Sequence, residues 1–465
     1  MRKKFDFRPF ISPVNALATL LLLAAPGFSA EAVPPVSPQT KPALVQQPEK
    51  KIAAEPGRIL PGEMITLDQC IGIALKKNPA IVAAGNTVEA GKSRVGEARS
   101  SYYPQVSAQA GYTRISPLQS TPTGTSAGLD NYSQYSGSVT VSQNLIDFGK
   151  SFSQVNIQKY NLDSSRSDLT TTSDQVIFNV KQAYYGVLQT KRSRDVALDV
   201  LKQFQLHLDQ AKGFYDVGTK AKIDVIKAEV DLSNARLSLI NAENALKIAW
   251  ITLNNAMGLP DAPEYAIEDN LSFHQYGVAL EEATKRAFEN RPEIRSLAAK
   301  REAAEESVGL ARTGYYPVLT GSASYNRAGR NRDLTLDHGW SAGVLLTVPL
   351  FSGFLTSHQV AEARSNVYTL RANEEALRQQ VLLEVRQSYL NLQAAEASIA
   401  TTELAAQQAQ ENLDLANGRY AAGVGSPIEV YDAFATYVAA QANHTSALAN
   451  YKIAQASIEK AMGAR

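Results

Sequence analysis

The chain has 465 residues, and 46 Lys and Arg against 45 Asp and Glu leave a formal net charge of +1. That balance argues against a nucleic-acid binder working through bulk charge, while 44% hydrophobic and 20% charged residues fit a folded protein. A single Cys excludes a disulfide framework and a multi-cysteine metal site, and the five His, at 207, 274, 338, 358 and 444, have no ligand spacing and read as surface residues.

Residues 1–32 read as a secretory signal peptide. Arg2, Lys3, Lys4 and Arg8 form a basic start, residues 16–25 an apolar run, and Ala30-Glu31-Ala32 a small-residue cleavage site. Prolines at 34, 35, 38, 42, 48, 56 and 61 then deny helix and central strand, which predicts an extended linker over 33–62. Cys70 lies too far past the proposed cut to be a lipidated first residue and reads as a small core side chain. Beyond residue 32 no apolar run reaches 18 residues, so a membrane can be crossed only by a closed β-barrel.

The rest of the sequence repeats itself. Asn78-Pro79 corresponds to Arg291-Pro292, and Tyr102-Tyr103-Pro104 to Tyr315-Tyr316-Pro317, both at an offset of 213. Gln182-Ala183-Tyr184 corresponds to Gln387-Ser388-Tyr389, Tyr215 and Gly218 to Tyr420 and Gly423, and Ala256-Met257-Gly258 to Ala461-Met462-Gly463, all at 205. Two structural repeats are expected, at 63–258 and 277–465, joined by a connector at 259–276.

Each repeat opens with a helical pattern. Thr66 followed by Gln69 fits a capping box, and Pro79 and Pro292 interrupt the helices early. The helices resume to Tyr103 and Tyr316, where Pro104 and Pro317 stop them. The period then changes to two. Val106, Ala108, Ala110 and Tyr112 are followed by a turn-rich loop and by Tyr135, Gly137, Val139, Val141, Gln143 and Leu145. In the second repeat, Leu319, Gly321, Ala323 and Tyr325 precede a shorter loop and then Trp340, Ala342, Val344, Leu346, Val348 and Leu350. One β-hairpin per repeat is predicted, at about 104–147 and 317–351.

A long heptad helix follows in each repeat. Val155, Leu162, Leu169 and Val176 recur every seven residues, shift by four to Val180, and continue through Val187, a polar Arg194, Leu201 and Leu208. The second repeat has Val360, Val367, a polar Glu374 and Val381, the same shift to Val385, then Leu392, Ile399, Ala406 and Leu413. This is coiled-coil packing with a stutter. About 60 proline-free residues would span roughly 90 Å. The helices end near Tyr215-x-x-Gly218 and Tyr420-x-x-Gly423, with Gly as the stop. Return helices follow, the second opened by Ser426-Pro427 with Glu429 as a capping-box partner.

Four amphipathic strands cannot close a barrel, and open edges in lipid cost several kcal/mol per unpaired group. Oligomerisation is therefore required, and three copies would supply twelve strands. The order of elements resembles the TolC family of bacterial outer-membrane channel proteins. The resemblance rests on Leu67 with Lys77-Asn78-Pro79, on both Tyr-Tyr-Pro junctions and on both tip turns, and it covers nearly all of residues 63–465. It implies an α+β membrane protein: a long α-helical coiled-coil barrel in the periplasm, with four β-strands per chain contributing to a twelve-stranded, trimeric outer-membrane β-barrel. It also implies a homotrimer that docks a periplasmic adaptor and an inner-membrane pump of the RND or ABC type, contacts outer-membrane lipid, and has no cofactor, metal or chemistry of its own.

The same resemblance implies a periplasmic gate. Tyr420 matches a tyrosine that bonds to an aspartate, here Asp224, and Glu429 and Asp432 match acidic positions that ring the closed aperture. Gly425 stands where the family's founding member has a constricting arginine. Tyr215, Gly218, Gly423 and Ser426 fall at the tips that contact the adaptor, and Trp340 fits a membrane-interface anchor. Plainer roles exist for each: a dipole contact for Asp224, a helix cap for Glu429, turn packing for Tyr215 and Tyr420, and a buried aromatic for Trp340. The competing class is a coiled-coil spacer without a channel, which leaves the paired alternating hairpins unexplained. Small-molecule efflux and type I protein secretion both remain open.

Overall fold

The computed structural model describes residues 62–116, 131–219, 221–330 and 337–464. The expected signal peptide and nearly all of the linker lie outside the described residues, as does part of each hairpin loop.

In chain order the elements are β1 (Met64–Ile65), α1 (Leu67–Lys77), α2 (Pro79–Arg99), β2 (Gln105–Ile115), β3 (Tyr132–Ile146), α3 (Lys150–Asp216) and α4 (Lys222–Met257). Then come β4 (Ala266–Ile267), α5 (Leu280–Asn290), α6 (Pro292–Arg312), β5 (Val318–Arg330), β6 (Asp337–Thr347), α7 (Leu355–Ala421) and α8 (Pro427–Ala461). The order helix, helix, strand, strand, long helix, return helix thus occurs twice.

Thr66 caps α1 with a full capping box. Asn78 ends α1 and caps α2 through its bond from the Ala80 amide, with Pro79 in the first turn, where no amide is needed. Gly258 ends α4 at φ 74°, and a Cβ there would lie 2.8 Å from the Lys77 carbonyl. The Asn78 amide also donates to the Ala256 carbonyl at 2.9 Å. The repeated Asn/Arg-Pro and Ala-Met-Gly motifs are therefore one contact. In the second repeat Gly463 abuts Asn290 and Arg291 in the same way.

Both long helices have 67 residues, about 100 Å at 1.5 Å per residue and a turn or two more than the spacing suggested. The seam from Val360 to Leu413 is buried at every expected position except Glu374, which instead receives Arg301 and Arg378. The stutter residues Val176, Val180, Val381 and Val385 sit in the main core, where α1, α5 and the connector close over the long helices. There α3 also buries Tyr184, Tyr185 and Leu188, so the seam widens to a broad face.

The connector is more than a tether. β1 pairs in parallel with β4. The Tyr184 hydroxyl donates to the Glu268 carbonyl at 2.7 Å. The Tyr451 hydroxyl donates to the His274 carbonyl at 2.8 Å and accepts the Tyr276 amide at 2.9 Å.

β2, β3, β5 and β6 form one antiparallel sheet in that order. The alternation expected through Leu350 ends earlier, because β6 stops at Thr347 and Pro349 has no amide to donate. A bulge between Asn144 and Ile146 keeps Leu145 over Gly321. Each strand-to-helix junction uses two successive left-handed residues, Phe148-Gly149 and Gly353-Phe354, to turn the chain into α3 and α7.

Candidate functional site

The sheet carries two different faces. Successive side chains alternate across a strand, so the register puts Val106, Val141, Ala323 and Ala342 in one row. Ala108, Val139, Tyr325 and Trp340 form the next row on that face. The opposite face carries Ser107, Thr140, Ser324 and Ser341, then Gln109, Ser138, Asn326 and Gly339. The Ser324 and Ser341 hydroxyls bond across it at 2.9 Å. Trp340 is exposed, not buried. Among the described residues, β2 and β6 each leave one edge, 11 residues long, without a partner strand.

Exposed aromatics gather where the helices meet the sheet. Phe148 stacks on Tyr316 at 5.7 Å, Phe351 meets Phe354 edge-on at 5.6 Å, and Tyr103 is two-thirds exposed. In the sequence the Tyr-Tyr-Pro motifs mark helix-to-strand junctions and do not by themselves reveal this aromatic cluster. The doubled tyrosine at both stops is the sequence signal of this exposed aromatic row.

The helix tips form the other candidate region. Gly218 (φ 75°) and Gly423 (φ 77°) end α3 and α7, with their amides bonded to the Tyr215 and Tyr420 carbonyls. The Val424 and Gly425 amides both reach the Arg419 carbonyl at 3.0 Å. A Cβ on Gly425 would lie 2.8 Å from the Tyr420 nitrogen, so the turn itself requires glycine there. Ser426 accepts the Glu429 amide at 3.2 Å. The expected capping box is only half formed, because the Glu429 carboxylate turns instead to the Arg419 guanidinium at 3.3 Å. Sequence reasoning missed Arg419. Asp432 and Tyr215 are exposed.

Tyr420 and Asp224 line the same cavity of about 260 Å³ between α3, α4, α7 and α8, together with Phe204, His207, Asp231 and Tyr431. They are not hydrogen-bonded to each other, which departs from the bond the family resemblance implied. The Tyr420 hydroxyl has its pKa raised by burial and, next, by the Asp224 carboxylate. His207 is part-buried rather than fully exposed: its ring lies 5.1 Å from Tyr420, and burial lowers its pKa against the opposing pull of Asp231. Burial raises the Asp231 carboxyl. His444 is likewise part-buried, beside Thr402 at 3.4 Å.

The sequence model for outer membrane efflux proteins matches residues 70–259 and again 283–464. The chain belongs to the outer membrane efflux protein family. It is 26% identical over 412 residues to the outer membrane protein TolC of Escherichia coli, covering 83% of this chain and 80% of that one. It is 26% identical over 400 residues to CyaE of Bordetella pertussis, covering 82% and 80%. The fold matches the CmeC outer membrane channel of Campylobacter jejuni with a TM-score of 0.75 at 18% identity, over 85% of both chains. As a family member this protein is an outer-membrane efflux or export channel component, not an enzyme. Among the described residues no helix is long and apolar enough to cross a membrane.

Proposed function

We propose that three copies of the chain close one twelve-stranded barrel and one helical tunnel. The assembly passively conducts substrates from a periplasmic adaptor and an inner-membrane pump to the outside, in multidrug efflux or type I protein secretion. The carrying observation is the four-stranded sheet, apolar on one face, with both edges unpaired among the described residues. In lipid those edges need partners, and neighbouring copies supply them. The apolar face then meets lipid, and the Ser, Thr, Gln and Asn face lines a wet lumen.

The helices support the same assembly. α4 leaves Ile223, Val230, Leu237 and Ile251 exposed at multiples of seven residues. α7 does the same with Leu383, Leu390 and Leu404. Heptad stripes left open in one chain fit the sides of neighbouring helices in a closed ring. A spacer of helices alone gives no reason for an apolar sheet face.

At the periplasmic end, Asp224 and Tyr420 hold the closed tip through their shared cavity. Glu429 and Asp432 form acidic rings, with Arg419 offsetting part of the Glu429 charge. Tyr215, Gly218, Gly423 and Ser426 present the turns to the adaptor, beside the exposed Val217 and Val424. Trp340 anchors the barrel at the membrane interface. Light scattering of the detergent-purified protein tests the assembly. A protein mass of three chains is expected; one or two chains per particle would refute it.

A further inference from the structure

The hairpin-loop end of the apolar face is basic. The register puts Arg114 two positions beyond Tyr112 on that face, and Arg327 two beyond Tyr325, with His338 directly opposite Arg327. All three side chains are exposed. Among the described strand residues this face carries no carboxylate, since Asp337 lies opposite Ala328 on the polar face. Arg330 also belongs to the polar face, where it stacks on Tyr132 at 4.3 Å.

A cleft adjoins these charges. It is an open groove of about 520 Å³ over the small residues Ala110 and Gly137, flanked by Tyr112 and Tyr135, whose rings are 5.2 Å apart, and by Arg327. An arginine beside an aromatic-flanked groove, just past the apolar rows, suits a ligand with an anionic head and an apolar body. The helices mark the opposite, periplasmic end of the sheet, so this rim faces the outer leaflet.

We infer that Arg114, Arg327 and His338, with the adjoining cleft, bind the phosphate groups of outer-leaflet glycolipids. Arg327 and Arg114 pair with phosphate oxygens, and the sugar or acyl stem lies over Ala110 and Gly137 against the two tyrosines. The inference rests on the proposed barrel, in which the apolar face looks outward.

The test uses native mass spectrometry of the purified full chain titrated with diphosphoryl lipid A. The chain carrying Arg114→Gln with Arg327→Gln should bind at least tenfold more weakly than the parent. Arg330→Gln, at the same end but on the other face, should bind as the parent does, and excess inorganic phosphate should not displace the lipid. Equal binding by the double variant, an equal loss in Arg330→Gln, or displacement by free phosphate would overturn the inference. Quenching of Trp340 by brominated lipid, in a Trp250→Phe background, reports separately on the outward face. Quenching without selective lipid A binding rejects the phosphate site and leaves the barrel standing; no quenching rejects both.

Discussion

Adjacent residues on one strand give the sharpest test of which face meets lipid. Val141 and Thr140 are neighbours near the middle of β3 and point to opposite faces. Val141 lies between Val106 and Ala323, and Thr140 between Ser107 and Ser324. An arginine on the lipid face near the bilayer midplane costs about 2–4 kcal/mol per chain. At 1.36 kcal/mol per decade that is roughly 30- to 900-fold in the folding equilibrium. An arginine at 140 would enter a row of small hydroxyl side chains facing the proposed lumen, at a cost of about 0.5 kcal/mol or less. Guanidinium titration in phospholipid vesicles, followed by fluorescence, measures both. Val141→Arg should lower the midpoint strongly, and Thr140→Arg should barely move it. Equal losses, or the larger loss at Thr140, would refute the assignment of faces.

Three further outcomes follow from the tip and the connector. Replacing both Glu429 and Asp432 by Ala should lower cation preference and multivalent-cation block in planar bilayers, whereas Arg419→Gln should raise cation preference by releasing the Glu429 carboxylate; unchanged reversal potentials would remove these side chains from the aperture. His207 faces Asp224, Lys227 and Asp231 from α4 and Tyr420 from α7. In the proposed gate, its lowered pKa means that an opened tip takes up the proton first. The closed packing is therefore unaffected above the ordinary value of 6.5 and loses stability as pH falls from there towards the lowered value. Open probability should rise from pH 7.5 to 5.5 in the parent and stay flat in His207→Gln; the same rise in both would exclude the histidine. Tyr451→Phe strands the His274 carbonyl and the Tyr276 amide and should cost about 1–3 kcal/mol, seen as a lower denaturation midpoint with unchanged single-channel conductance.

Much of the architecture is legible because each element has its own period. The change from period two at Trp340–Leu346 to period seven at Val360–Leu413 separates strand from long helix without ambiguity. Even the stutter at Val381–Val385 is readable, because a four-residue step breaks an otherwise regular seven. Strand ends are less legible: Val348 and Leu350 continue the hydrophobic alternation although Pro349 prevents backbone pairing. The tip chemistry is the least visible. Arg419 reaches Glu429 across a turn shaped by the Gly425 backbone, and no side-chain pattern encodes that path. His207 directly precedes the seam residue Leu208, so its place against Tyr420 depends on how four helices converge. The basic rim beyond Tyr112 and Tyr325 becomes a surface only once the register aligns separate strands.

Single-channel recording tests the central claim most directly. The purified full chain and its Asp224→Ala variant are inserted into planar bilayers from samples of verified three-chain mass. The account predicts discrete, cation-preferring steps, with larger conductance in Asp224→Ala as the tip loosens. Three-chain particles that insert but give no steps in either form would contradict a continuous duct through the barrel and the helices.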